Sequence, residues 1–428
     1  MKRYNEYKDS GVEWIGEIPS HWEVKRNKYI YKLSKGKNPS ELVDTMGDNE
    51  LPYLSMEYLR TGKNEQYARI NTNCVVVEDN ELLLLCDGSN SGEFVIARKG
   101  IVSSTMAKVI NIDEIENRYS KYIFKVYETI LKENTVGMGI PHVNTGFFRD
   151  SLTLIPTRKE QNKIANYLDK KTSQIETLIS KKEELIKTLK ASRTKLISET
   201  VTKGIDKNVP MKDSGIEWIG DIPKNYKIKN LRYLGNLQNG ISKGAEEFGF
   251  GYPFVSYGDV YKNSVSNEVE GLVNSSKEDR RIYSVIEGDV FFTRTSETIE
   301  EIGFSSICLE TIPDATFAGF LIRFRPNTND LYKGYSKYYF RSDIHRKFFV
   351  KEMNLVTRAS LGQNLLKNLP VVIPSYEEQI EISKYLDKQV TIINNSISKI
   401  EEQIELLKKA KQKLITEVVT GKIDVTNL

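Results

Sequence analysis

The C-terminal part of the chain carries apolar residues at a seven-residue spacing. One row consists of Leu386, Ile393, Ile400, Leu407 and Leu414, and a second row beside it includes Ile397 and Ile404. Such a stripe returns every two turns of an α-helix and is typical of a helix that pairs with another in a coiled coil. The pattern therefore predicts one long, paired helix within residues 374–428.

A second stripe of the same kind runs through residues 156–206. Both stripes begin after a proline, with Ser or Thr followed three residues later by Glu, and both end near a glycine, which are signals of helix termini. Two such helices bury their stripes most simply against each other, so we expect an antiparallel coiled coil. The first stripe consists of Leu168, Ile175, Leu189 and Leu196, interrupted by Lys182, and a neighbouring row of Ile179 and Ile186.

The two stripes belong to a repeat of a larger unit. Residues 8–19 (KDSGVEWIGEIP) return as residues 212–223 (KDSGIEWIGDIP), and about half of the positions in residues 156–206 are identical in residues 374–424. The offset is 204 residues for the first block and 218 for the second, so the second copy is 14 residues longer between them. The chain is therefore two copies of one unit. By this symmetry we expect the N-terminus to lie beside the end of the second helix, near Asp424.

The segments between the repeated blocks alternate short apolar runs with polar turns. Residues 82–85 and 94–97 are such runs in the first segment, and residues 289–292 and 320–324 in the second. These runs are typical of β-strands. We expect an α+β fold with pseudo-two-fold symmetry, in which two similar mixed α/β domains are joined by two long antiparallel helices that form a coiled coil. The domains are residues 1–155 and 207–373, and the helices lie within residues 156–206 and 374–428.

Composition limits the classes of protein that remain. The 428 residues are 39% hydrophobic, enough for two ordinary cores, and the three scattered cysteines are too few for a disulfide framework or a zinc cluster. Apolar runs are too short to span a membrane and the first residues do not resemble a secretion signal, so we expect a cytoplasmic protein. The net charge of +4 is low for binding nucleic acid by charge alone, so DNA binding would depend on local patches.

The sequence lacks complete catalytic and metal-binding motifs. Gly235 and Gly240 have the spacing of a phosphate-binding loop, but Ile241 occupies the position of its lysine. His21, His142 and His345 lack the spacing of metal ligands. We therefore expect a protein that is not an enzyme and that holds no metal and no cofactor.

Several phrases in a shared order resemble a known family. Trp-Ile-Gly-x-Ile-Pro opens each variable segment, and residues 155–169 and 373–387 share Ile-Pro, Glu-Gln, Ile and Tyr-Leu-Asp at matching positions. With the heptads, the whole chain resembles a Type I restriction-modification specificity subunit. The resemblance implies two target recognition domains for the halves of a split, asymmetric double-stranded DNA site, with helices that set their spacing. It also implies docking to modification subunits that use S-adenosylmethionine, and recruitment of ATP-dependent restriction subunits.

Base contacts are expected from side chains that match base edges. Arg and Lys pair with guanine, whereas Asn and Gln pair with adenine. The alternative is a coiled-coil scaffold whose two ligand-binding domains do not recognise DNA, since duplication alone would allow it. The DNA-binding candidates are Arg60, Lys63, Asn90, His142 and Asn144 in the first domain, and Tyr257, Arg294, Arg358, Gln363 and Asn364 in the second, with Tyr257 as a phosphate contact.

Overall fold

The chain divides into two compact units, residues 1–182 with 401–428, and residues 183–400. The computed structural model describes residues 2–13, 15–63, 65–113, 115–137, 139–262, 264–265, 269–296, 302–352 and 359–426. Trp14 of the first repeated block lies outside these ranges. Each unit therefore takes one of the predicted domains together with one half of each long helix, rather than leaving the helices as separate domains.

The elements of the first unit follow the predicted strand pattern. The strands are β1 (Tyr7–Asp9), β2 (Glu17–Pro19), β3 (Glu23–Arg26), β4 (Tyr31–Lys35), β5 (Glu50–Leu54), β6 (Tyr67–Arg69), β7 (Val76–Val77), β8 (Leu82–Leu85), β9 (Phe94–Ile96), β10 (Gly100–Val102), β11 (Met106–Asn111) and β12 (Leu152–Ile155). The helices are α1 (Met56–Thr61), α2 (Asn117–Glu133), α3 (Thr145–Asp150) and the first part of α4 (Arg158–Lys203).

Two four-stranded sheets form the body of the first unit. Their strand orders are β4-β11-β8-β9 and β6-β5-β10-β7. The central strand β11 pairs antiparallel with β4 and β8, whereas β10 pairs parallel with β5. One core contains Trp22, Tyr119 and Phe124 together with residues of both long helices, and a smaller core forms around Leu54 and Leu83. The sheets thus hold the polar loops on a rigid frame.

The second unit repeats the alternation of strands and helices. Its strands are β13 (Met211–Asp213), β14 (Asp221–Pro223), β15 (Lys227–Asn230), β16 (Gly235–Asn239), β17 (Phe248–Val255), β18 (Ser264–Val265), β19 (Leu272–Val273), β20 (Val290–Thr293), β21 (Thr295–Ser296), β22 (Ser305–Cys308), β23 (Thr316–Phe317), β24 (Leu321–Pro326), β25 (Ala359–Ser360) and β26 (Pro370–Ile373). Its helices are α5 (Lys277–Ile282), α6 (Lys333–Tyr339), α7 (Ile344–Glu352), α8 (Gln363–Lys367) and α9 (Tyr376–Val419). This unit takes α4 from Glu183 onward and α9 up to Ile400, and the first unit takes the remainder of both helices.

The sheets of the second unit match those of the first. The order β16-β24-β20-β22-β18 corresponds to β4-β11-β8-β9 with one strand added at the edge, and β24 again pairs antiparallel with both of its neighbours. A three-stranded sheet, β19-β17-β23, lies over a separate core around Phe291 and Phe317. The predicted α+β fold with an internal repeat is confirmed.

A third repeated segment connects each domain to its long helices. Residues 119–124 (YSKYIF) return as residues 335–340 (YSKYYF), a repeat in addition to the two blocks described above. In each unit the first tyrosine of the segment donates a hydrogen bond to the strand that precedes the long helix, and the second donates to an aspartate on that helix. The pairs are Tyr119–Leu154, Tyr122–Asp169, Tyr335–Val372 and Tyr338–Asp387, with distances of 3.0, 2.7, 2.8 and 2.6 Å.

The long helices α4 and α9 contain 46 and 44 residues and run antiparallel. In the first unit, the Nζ atom of Lys411 lies 3.0 Å from Glu176 and the Nζ atom of Lys182 lies 2.6 Å from Gln403. Lys182, which interrupts the apolar stripe, is therefore satisfied by a polar side chain of the other helix. In the second unit, the guanidinium of Arg193 donates to Asn394.

The stripe residues are withdrawn from solvent to different degrees. Other apolar residues of the same helices, such as Leu178 and Leu406, are exposed. Charged residues thus share the outer faces with only a few apolar ones. Within the stripes, Leu168, Leu386, Ile397 and Ile404 are buried, and Ile175, Ile179, Ile186, Leu189, Leu196, Ile393, Ile400, Leu407 and Leu414 are half-buried.

The ends of the helices follow the sequence signals. Gly204 and Gly421 have φ angles of 74° and 71°, the left-handed conformation that glycine adopts readily after a helix. The backbone N–H of Asp424 donates to the carbonyl of Lys2 at 2.9 Å, and Tyr7 donates to the carbonyl of Gly421 at 2.9 Å. The expected position of the N-terminus beside the end of the second helix is confirmed.

Among the described helices, none is both long and apolar enough to cross a membrane. Within the described ranges, the side chains of His, Cys, Asp and Glu form no group of three that could hold a metal ion.

The first long helix begins with the predicted capping box. The backbone N–H of Glu160 donates to Thr157 Oγ1 at 3.4 Å, and the Glu160 carboxylate accepts from the Thr157 N–H at 3.0 Å and from His21 at 2.8 Å. Burial by itself would raise the pKa of the Glu160 carboxyl, but the hydrogen bonds from Thr157 and His21 outweigh it and hold the pKa below its ordinary value. The folded chain thus favours the ionised carboxylate.

We expect Glu160→Gln to lower thermal stability near neutral pH and to make stability less dependent on pH in acid. A carboxyl whose pKa is depressed by folding stabilises the fold fully above its unfolded pKa of about 4.3, and this contribution disappears as the pH falls through the folded value. The melting temperatures of the variant and the parent should therefore converge between about pH 5 and pH 3. Glu377→Gln, at an exposed position of the first turn of α9, is the control. A constant difference at all pH values would contradict the assignment.

Candidate nucleic-acid interface

In the first unit, the loop after β8 meets the segment that leads into α3. The backbone N–H of Val143 donates to the carbonyl of Cys86 at 2.8 Å, and the N–H of Gly88 donates to the carbonyl of Pro141 at 3.0 Å. These bonds join residues that are more than fifty positions apart in sequence. They create a first polar surface, which we define as residues 86–92 and 142–150.

Asp87 is the electrostatic centre of the first polar surface. Its carboxylate lies 2.8 Å from His142 Nδ1 and 2.9 Å from Lys35 Nζ. Burial by itself would raise the pKa of the Asp87 carboxyl, but the hydrogen bonds from His142 and Lys35 outweigh it and lower the pKa below its ordinary value. The carboxylate therefore stays ionised and holds both side chains in place.

The first polar surface brings together three of the five predicted residues of its domain. Asn90 and His142 are exposed, and Asn144 Oδ1 accepts from the Phe147 N–H at 3.0 Å as the N-cap of α3. That cap uses the oxygen that a two-bond contact with adenine would need. Arg60 lies near the same loop through an ion pair of 2.8 Å with Glu93, whereas Lys63 is exposed after α1.

The second unit builds the same junction from different residues. The N–H of Leu361 donates to the carbonyl of Arg294 at 2.7 Å, as Val143 does to Cys86. Leu361 and Val143 are separated by 218 residues, the same offset as the long helices. Helices α3 and α8 are therefore equivalent. We define the second polar surface as Arg294 and residues 361–368.

Three predicted residues lie on the second polar surface. Arg294 and Gln363 are half-buried, Asn364 is exposed, and Gln363 Nε2 donates to Asn239 Oδ1 at 2.9 Å. Asn239 is the repeat equivalent of Lys35, whose ammonium group pairs with Asp87 of the first polar surface. The two polar surfaces thus share a frame but differ in their hydrogen-bonding groups.

Tyr257 lies in a different part of the second unit. The Tyr257 hydroxyl lies 3.2 Å from that of Tyr261, whose ring stacks on Phe304 at 5.0 Å, and both tyrosines belong to the part of the unit around β17 and β22. Arg358 lies outside the described residues. Arg294, Gln363 and Asn364 thus lie together on the second polar surface, whereas Tyr257 does not.

Sequence reasoning missed a basic hollow beside α3. The hollow has a volume of about 570 Å³, and its lining includes Lys28, Lys32, Lys35 and Arg149 together with Thr145 at the start of α3. The near-neutral charge of the whole domain concealed this local concentration of cations. Comparison of residues 26–35 with residues 230–239 could have found part of it, because Lys28-Tyr29 returns as Arg232-Tyr233.

Comparison with known proteins identifies the family. The sequence model of the family described as "Type I restriction modification DNA specificity domain" matches residues 19–188 and 223–406. The chain belongs to this family. Each match lies within one copy of the repeat and includes most of that copy's long helix, so each copy of this specificity protein contains one family domain.

Curated relatives cover nearly the full length of the chain. The Type I restriction enzyme MjaVIII specificity subunit of Methanocaldococcus jannaschii is 29% identical, over 96% of this chain and 95% of its own length. The Type I restriction enzyme EcoKI specificity subunit of Escherichia coli K12 is 21% identical, over 90% of this chain and 87% of its own length. The family assignment thus extends over both copies.

Solved structures share the fold. A chain from "Structural basis underlying complex assembly and conformational transition of the type I R-M system" superimposes with a TM-score of 0.71 at 14% identity, over 95% of this chain and 99% of that chain. The HsdS subunit from Thermoanaerobacter tengcongensis gives a TM-score of 0.52 at 14% identity, over 95% and 98%. At such identities the likeness establishes the architecture alone.

Proposed function

We propose that this chain is the sequence-recognition subunit of a Type I restriction-modification complex. Each polar surface contacts one half of a bipartite, asymmetric site in double-stranded DNA, and the paired helices set the spacing of the halves. The same helices dock modification subunits that use S-adenosylmethionine, and the assembly recruits ATP-dependent restriction subunits. Methyl transfer and DNA cleavage belong to those partners.

One observation carries this proposal. The frame around the two polar surfaces is repeated down to single hydrogen bonds, yet the polar groups on it differ. Arg294 occupies the position in the second unit that Cys86 occupies in the first, and Gln363 occupies the position of Thr145. Base edges differ in their patterns of donors and acceptors, so two domains that recognise different half-sites need different polar groups on a common frame.

The test is selection of DNA by the assembled complex. The chain purified with its modification subunits should enrich, from a randomised duplex library, two short sequence elements separated by a fixed gap. We expect Arg294→Ala and Gln363→Ala to relax base preference in one element only, since each good base contact supplies about 1–3 kcal/mol of discrimination. Exchange of residues 20–155 between variants should change the other element.

The controls separate recognition from folding. Lys277→Ala, at the exposed start of α5 and outside the residues of the second polar surface, should leave both elements unchanged. Failure to enrich any bipartite sequence would favour a coiled-coil scaffold with ligands other than DNA. Relaxation of both elements by one substitution would contradict the division of the site between the two domains.

A further inference from the structure

Each domain exposes a tyrosine beside a cation at the same position of the repeat. Tyr29 and Tyr233 are both 65% exposed, which is unusual for such a large ring. The Nζ atom of Lys28 lies 5.5 Å from the centre of the Tyr29 ring, and the guanidinium of Arg232 lies 5.5 Å from that of Tyr233. Neither tyrosine contributes to a core, so packing within the chain does not explain why both are retained.

The turn that carries each tyrosine is fixed to the end of a polar surface. The N–H of Asn27 donates to the carbonyl of Ser151 at 2.8 Å, and the N–H of Leu231 donates to that of Leu369 at 2.9 Å. Ser151 and Leu369 follow the equivalent helices α3 and α8. Each exposed ring is therefore held next to the residues that we assign to DNA recognition.

The cation of each pair is held by the helix that it adjoins. Lys28 Nζ lies 3.1 Å from Asp150, and Arg232 Nη2 donates to Asn368 at 2.5 Å. Asp150 and Asn368 are the last residue of α3 and the residue that follows α8. The positions of the two cations are thus equivalent in three dimensions as well as in sequence.

Positive charge is retained in both domains although the side chains change. Lys28 in the first domain corresponds to Arg232 in the second, and exposed Arg149 corresponds to exposed Lys367. The acidic residue beside the cation is not common to both domains, since Asp150 in the first corresponds to Asn368 in the second. The two domains thus have positive charge in common at these positions but not the shape of the side chain, which suits contact with a diffuse negative charge.

We propose that Lys28-Tyr29 and Arg232-Tyr233, with Arg149 and Lys367, contact the DNA backbone in the two halves of the site. This inference rests on the proposed function. Phosphates are the same at every sequence, so residues that bind them can stay alike in both domains, whereas residues that read bases must differ. Lysine and arginine neutralise phosphate charge, and a tyrosine hydroxyl donates to phosphate oxygens.

A pair of identical protein partners would also encounter the same surface on both domains. The retained positive charge, and the attachment of each turn to the end of α3 or α8, favour DNA. In the first domain, Lys28 and Arg149 also line the basic hollow that reaches Thr145 on α3. Backbone and base contacts would therefore form one continuous surface.

The test measures affinity of the assembled complex for its selected site and for unrelated duplex DNA at several salt concentrations. We expect Lys28→Gln and Arg232→Gln each to weaken both affinities by a similar factor, about 3- to 10-fold, and to reduce the slope of log K against log salt by about one. Base preference should not change. Tyr29→Phe and Tyr233→Phe should weaken both affinities by a smaller common factor, without the change in slope.

Lys99→Gln is the matched control, because it removes the same positive charge from an exposed lysine that pairs with Glu78. A change in base preference would make the pairs base readers and overturn the proposal. If a variant keeps its DNA affinity but loses the modification subunits on purification, the surface binds a protein partner and the proposal is wrong. If it keeps both its DNA affinity and the modification subunits, the proposal is also wrong. If the parent complex itself selects no DNA site, the proposed function is wrong. If the parent selects a site and the variants bind DNA as the parent does, only the proposed backbone contacts are wrong.

Discussion

Insertion of seven residues after Lys182 and seven after Ile400 is expected to lengthen the preferred gap between half-sites by about three base pairs. One heptad adds about 10.5 Å of helix and keeps the apolar stripes in phase, while DNA rises about 3.4 Å per base pair. Binding to the original site should fall at least about 100-fold, since only one half-site could then be engaged at a time. Selection from a library with randomised gap length measures the change.

The matched control places seven residues between Lys207 and Asn208, which are both exposed between α4 and β13. That insertion lengthens the chain by the same amount without entering either long helix. We expect the parental gap for this control. A parental gap for the variant with lengthened helices would show that the helices do not set the spacing, whatever the two domains recognise.

Leu168→Ala is expected to destabilise the first unit by about 2–5 kcal/mol, the usual cost of a large cavity in a core. Leu168 is fully buried and packs in the core that also contains Phe124, Ile415 and Val418. For a unit of this size the melting temperature should fall by roughly 5–15 °C. Calorimetry of the full chain measures the shift.

Leu178→Ala is the control for this substitution. Leu178 lies on the same helix and in the same unit, but 43% of its surface is exposed. The same change should alter stability by less than about 0.5 kcal/mol there. Equal effects at both positions would mean that helix propensity, rather than burial of the stripe, controls stability.

Much of the architecture was predictable because it depends on local patterns. The seven-residue rows, the Thr157–Glu160 cap and the glycines after each helix indicated α4 and α9, and their antiparallel pairing followed from the duplication. Apolar runs located β8 and β9 in the first unit and β20 and β24 in the second. Lys182 was recognised as an interruption, but only the structure showed that Gln403 of the other helix satisfies it.

The functional surfaces were predictable only in part. Asn90, His142 and Asn144 in one domain, and Arg294, Gln363 and Asn364 in the other, were chosen for their chemistry and lie on the two equivalent surfaces. Tyr257, which was chosen as a phosphate contact, lies in a different part of the second unit. The pairs Lys28-Tyr29 and Arg232-Tyr233 were missed because their significance depends on exposure, which a short polar stretch does not reveal.

The sequence by itself determined the duplication, the long paired helices, the family resemblance and the types of side chain available for DNA contacts. Only the tertiary structure decided which of those side chains share a surface, because hydrogen bonds such as Val143 to Cys86 and Leu361 to Arg294 join segments far apart in the chain. Local periodicity indicates a helix or strand, whereas the meeting of two loops depends on the register of the sheets that carry them.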